Sequence, residues 1–167
     1  VEEIRLTEQF VFSDLEKRLF DDLKDQILDD FSFEQGALIV SGINSEKRLV
    51  EYEQKIDEIH RRIMIKIDSS VASNFLDAVY RKVPQRDEER RRVLKIHGAF
   101  WHSRKDRYNP DISSLVDVVD SELTGKPGAG VGNCVGLSLL NKVIFDREGI
   151  ESLVVNVPEH VFLLIKT

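Results

Sequence analysis

Leu49, Tyr52, Ile56, Ile59, Ile63 and Ile67 recur at gaps of three and four residues, the spacing that aligns one face of an α-helix. A stripe of that length cannot stay in water, so it predicts a long amphipathic helix packed against a partner. A second stripe supplies the partner: Leu15, Leu19, Leu23 and Ile27, widened by Phe20 and Leu28. Ser13 and Glu16 stand before it at the spacing of a capping box, in which each side chain accepts the other residue's free backbone amide. Together the two stripes predict an N-terminal helical bundle.

The pattern changes along the chain. Residues 68–70 (Asp-Ser-Ser) break the long helix and cap a short one with Phe75, Leu76 and Val79 inward, ended by Pro84. A fourth helix is predicted over residues 87–97, and a polar loop leads to a fifth carrying Leu115, Val118, Val119 and Leu123, with Gly125 as its stop. A sixth runs over residues 134–147 and ends at Gly149. The runs "SLVVNVP" and "VFLLIKT" then read as two strands joined through Pro158, Glu159 and His160. Helices followed by strands predict an α+β fold, divided into a helical N-terminal region over residues 1–84 and a core over residues 85–167.

Composition narrows the function classes. With 167 residues, 41% hydrophobic and 32% charged, the chain can bury a core, and no apolar run approaches a membrane span. A net charge of -6 disfavours binding to a phosphate backbone. The run "RDEERRR" is balanced by its own acids and reads as a solvated helix face. These features predict neither a nucleic-acid nor a membrane partner, and leave the oligomeric state open. The glycine-rich "TGKPGAGVG" has its lysine too early for a phosphate-cradling loop and reads as a tight turn into the next helix. His97 and His102 stand five apart with no acid or thiol cluster beside them, so no metal and no cofactor is expected, and Trp101 between them is expected to anchor a core or a hinge. His60 lies on a polar helix face and reads as structural. Asp106, Tyr108 and Asp111 form a polar loop governed by turn chemistry that could border a groove. The start at Val-Glu-Glu, without Met, suggests a longer parent, and a single cysteine suggests a reducing compartment, with cytoplasm the default.

That cysteine carries the chemistry. Cys134 follows Asn133, a favourable N-cap, and so falls in the first turn of its helix, where free amides and the helix dipole stabilise a thiolate. Asn133 thereby caps the site, and the Cys134 amide is a candidate oxyanion donor. His160 opens the last strand and is the candidate base. The bland alternatives are a buried small hydrophobe at Cys134 and a turn histidine at His160.

The motifs "GNCVGLSLL", "EGI" and the histidine-bearing "LVVNVPEHVFLLI", with "NPDISSLVDVVDSELTGKPG" upstream, resemble the transglutaminase-like branch of the papain-like cysteine-peptidase superfamily, and in particular bacterial members associated with tetratricopeptide repeats. The resemblance covers about the last third of the chain. It implies a Cys-bearing helix packed on a small antiparallel sheet, Cys134 as nucleophile, His160 as base, and hydrolysis or acyl transfer on amide or peptide carbonyls through a thioester. It also implies a protein or peptide substrate and an orienting acid on the strand after the histidine strand. The sequence stops at Thr167, short of such a strand, so truncation or loss of activity is expected. Glu159 is a poor substitute, because neighbouring strand residues point to opposite faces. The alternative is a non-catalytic interaction module that retains the fold.

Overall fold

A computed structural model of the chain describes residues 11–68, 87–102, 107–125 and 130–166. Among them are six α-helices: α1 (Asp14–Asp22), α2 (Phe33–Val40), α3 (Glu46–Asp68), α4 (Glu88–His102), α5 (Leu115–Thr124) and α6 (Cys134–Arg147). A single antiparallel hairpin closes the order, β1 (Ser152–Val157) with β2 (His160–Ile165). The fold is α+β, and no helix among the described residues is long and apolar enough to cross a membrane.

α3 is the spine, as its stripe predicts. Leu49, Tyr52, Ile56, Ile59 and Ile63 are all buried, each worth about 1.5–3 kcal/mol relative to exposure. α2, α4 and α5 pack along it, α6 packs on α5, and the hairpin lies on α6. One apolar cluster runs through all six helices. Charge then pins the C-terminal end of α6. The Arg147 guanidinium holds Glu34 of α2 at 2.7 Å and also pairs with Asp57 of α3. Glu148 accepts from Arg92 of α4 and sits 2.7 Å from His60 of α3. His60 is structural, as its helix face predicts.

The first stripe fails beyond one helix turn. The capping box at Ser13 and Glu16 forms, and Leu15 and Leu19 are buried. Leu23 and Ile27, however, are 42% and 58% exposed, and Phe20 is half exposed. The cause is a turn that periodicity does not reveal: the helix ends at Asp22, Gln26 takes a left-handed conformation, and the Asp22 carboxylate accepts the backbone amides of Asp29, Asp30 and Phe31. Those bonds pull the chain off the helix axis. It re-enters as α2, which sequence analysis missed although Ser32 and Gln35 form a second capping box. α4 continues to His102 rather than ending near residue 97. The short helix expected around Phe75, Leu76 and Val79 lies outside the described residues.

Candidate functional site

The approach to α6 is built by close backbone contact. Tyr108 and Gly132 form a parallel bridge, and the Val131 amide donates to the Arg107 carbonyl at 2.7 Å. A Cβ on Gly130 would lie 2.5 Å from the Tyr108 carbonyl oxygen, so only glycine fits there. Arg107 is buried beneath the same bridge, paired with Glu122 at 2.8 Å and stacked 4.3 Å over Phe100. It ties the loop after α4 to α5.

Asn133 then caps α6. Its Oδ1 accepts the amides of Val135 and Gly136 at 3.0 and 3.1 Å, and its Nδ2 donates to the Pro110 carbonyl at 3.3 Å. Cys134, half-buried, is the first helical residue, and its own amide N–H has no partner among the described residues. The helix start that sequence analysis expects is therefore present, with the cap taking the second and third amides and leaving the first.

Cys134, Ser138, Asn141 and Phe145 follow at gaps of four, three and four, one side of α6. They form a wall of a cavity of about 320 Å³, which β2 closes on a second side and His97, Trp101 and Tyr108 on a third. The opposite side of α6 (Leu140, Val143, Ile144) is core. His160 also lines this cavity, so the two sequence-predicted site residues share one wall system. Along β2 the side chains alternate: Val161, Leu163 and Ile165 are half-buried and turn toward α6, while His160, Phe162 and Leu164 are exposed, with the His160 and Phe162 rings stacked at 6.2 Å. Among the described residues no hydrogen bond joins the thiol to the imidazole, and none reaches His160 from a carboxylate. Glu159 is a turn residue at φ 66.

Other expectations resolve differently. Trp101 is 37% exposed and lines the cavity instead of anchoring a core. Tyr108 borders a groove, as its loop suggested, whereas Asp111 only completes an Asx turn with Asn109 and Asp106 lies outside the described residues. His97 lines the cavity beside Trp101, and the His102 side chain lies outside the described residues. Asp22, Asp29 and Asp30 lie close enough to share a cation, but the Asp22 carboxylate is already occupied by backbone amides. Ser138 and Asn141 were missed in the sequence. Their signal is two uncharged polar residues about one and two turns after the cysteine, with only apolar residues and a glycine between. The chain matches no family model, and neither a curated protein nor a solved structure matches it.

Proposed function

We propose that the protein is a cysteine-dependent enzyme with a transglutaminase-like core, acting on amide or peptide carbonyls through a thioester at Cys134. The observation that carries this reading is the shared cavity: a half-buried thiol on a capped helix start and a histidine at the head of a strand line the same space. His160 takes the thiol proton, and the thiolate attacks the carbonyl carbon. The unpaired Cys134 amide donates to the oxyanion that forms, with the dipole of α6 behind it. Collapse of that intermediate expels the amine, which takes the proton from the imidazolium, and water or a second amine resolves the thioester. For this step the imidazole must come within hydrogen-bond reach of the thiol, a closure that apo sites commonly leave to substrate binding. The resemblance assigns its orienting acid to a strand beyond β2.

The exposed outer face of the hairpin, with Leu153, Phe162 and Leu164, favours a second reading as an interaction module. One reactivity measurement separates the two. Iodoacetamide at pH 7 is expected to alkylate Cys134 faster than free cysteine, and His160→Ala to slow it. Alkylation no faster than that of free cysteine and unchanged by His160→Ala refutes the enzyme reading and leaves the module.

A further inference from the structure

We infer that Ser138 is a positioning residue for the cysteine–histidine pair: its hydroxyl clamps the head of β2 to α6 one helical turn beyond Cys134, and so sets how far His160 stands from the thiol. This deepens the thioester reading and rests on it, because a pair must operate before its spacing can matter.

The clamp joins the two elements that carry the pair. Ser138 stands four residues after Cys134, on the same side of α6 and about 6 Å along it. Its Oγ donates to the Val161 carbonyl at 3.2 Å, and Val161 follows His160 directly. Among the described residues this is the only hydrogen bond between α6 and the hairpin. The half-buried side chains of Val161, Leu163 and Ile165 supply apolar contact instead. Apolar contact is non-directional and lets a strand slide or tilt on a helix, whereas a hydrogen bond is limited in distance and angle and holds one placement.

The hydroxyl has a nearer choice that it does not take. A serine in a helix can donate to the carbonyl four residues earlier, as Ser41 at the end of α2 does to Ala37 at 2.7 Å. The equivalent acceptor for Ser138 is the Cys134 carbonyl, yet Ser138 reaches across to β2. At 8% exposure it is also shielded from competing water. The hairpin register makes the acceptor available. The Lys166 amide donates to the Glu151 carbonyl at 3.1 Å, and hydrogen-bonded pairs alternate along an antiparallel ladder. Val157 with His160 is then a bonded pair and Asn156 with Val161 is not, so the Val161 carbonyl points away from β1. His160 is therefore fixed at the turn by its own pairing and one residue later by Ser138. A carbonyl oxygen has two lone pairs, so the clamp is compatible with the acid-bearing strand that the resemblance assigns beyond β2.

The rate of Cys134 alkylation by iodoacetamide at pH 7, in the full chain with and without His160, tests the clamp. Ser138→Ala should slow it about 2–13-fold, the worth of one hydrogen bond. In the His160→Ala background the same substitution should leave the rate unchanged, because no imidazole remains to be placed. Ser138→Thr, which keeps the hydroxyl, should restore the wild-type rate. A serine that merely packs would lower the melting temperature in both backgrounds without any dependence of reactivity on His160. Circular dichroism at the assay temperature checks that each protein is folded. The inference is overturned if Ser138→Ala slows both backgrounds equally, or if Ser138→Thr behaves as the alanine does. Unfolding of Ser138→Ala would overturn it as well, since the bond would then hold the fold and not the pair. If His160→Ala slows alkylation and Ser138→Ala does not, this inference alone falls. If His160→Ala is itself without effect, the thioester reading falls and takes the clamp's role with it.

Discussion

Gly136 sets how closely the cysteine helix lies against α5, and Gly136→Ala tests that contact. A Cβ built there would sit 2.5 Å from Val118 Cγ2 and 3.2 Å from the Ser113 carbonyl oxygen. Carbon atoms prefer about 3.5–4.0 Å, so the methyl overlaps Val118 by at least about 1 Å. Val118 is fully buried, and Ser114, beside Ser113, caps α5, so neither neighbour yields freely. Two effects oppose each other. Alanine gains up to about 1 kcal/mol of helix propensity over glycine, while overpacking a filled core costs about 1–3 kcal/mol. The clash should win, with a net loss of about 1–2 kcal/mol. Urea unfolding followed by circular dichroism should show a lower midpoint at an unchanged slope. Val118→Ala removes the obstructing methyl and alone should cost about 1–3 kcal/mol as a cavity. Combined, the two losses should fall short of their sum by about 1 kcal/mol or more, since the residues touch. If Gly136→Ala is as stable as wild type, or if the two losses simply add, α6 is not seated by this glycine.

Ile56→Ala, at the fully buried centre of α3, should cost about 2–5 kcal/mol in the same assay, and a loss under about 0.5 would mean that the stripe is not core. Burial works to raise the Glu148 pKa, but bonds from Arg92 and His60 outweigh it and hold the carboxyl below the ordinary 4.5. Its contribution is therefore complete above that value and lost as pH falls through the depressed one, so Glu148→Gln should be less stable at pH 7 and decline less steeply below about pH 4.5; parallel pH profiles for the two proteins would refute the linkage. Glu159 holds a left-handed turn conformation at φ 66, and Glu159→Gly should raise the melting temperature, because relief of about 1–2 kcal/mol exceeds the 0.5–1 kcal/mol entropic cost of glycine. A lower melting temperature would show that the glutamate side chain, not the turn, holds the hairpin.

Where the fold was legible in the sequence, a single local rule decided the outcome. α3 follows from its stripe, α5 from its apolar positions and the left-handed Gly125, and the hairpin from two β-rich runs around Pro158 and Glu159. Misreadings arose where a tertiary bond overrode the period. Leu23 and Ile27 keep helical spacing with Leu15 and Leu19, yet the Asp22 carboxylate gathers three downstream amides and bends the chain away. Nothing in a hydrophobic pattern encodes an aspartate that accepts from residues seven to nine positions later. α2 was missed for the opposite reason: its capping box was visible, but Gly36 and the polar approach diluted the apolar signal.

The site divides along the same line. Its capped cysteine is a local feature, readable because Asn133 and the first turn of α6 are adjacent in sequence. The cavity is not local, since α4, the Tyr108 loop, α6 and β2 all contribute to its lining, and no spacing within any one of them announces the others. Trp101 shows the consequence: an aromatic residue read alone suggests a core, whereas its position one turn beyond His97 on a longer α4 puts it at the cavity instead. Asn141 sharpens the point, because a polar residue on a buried helix is readable as an anomaly from sequence, but only the structure reveals that its oxygen has no partner among the described residues. α6 thus has two jobs on opposite faces, an apolar one that seats it on α5 and a polar one that meets the hairpin edge. A substitution on the first face should therefore lower stability and disturb the cavity together, and one on the second should alter the cavity while leaving the fold in place.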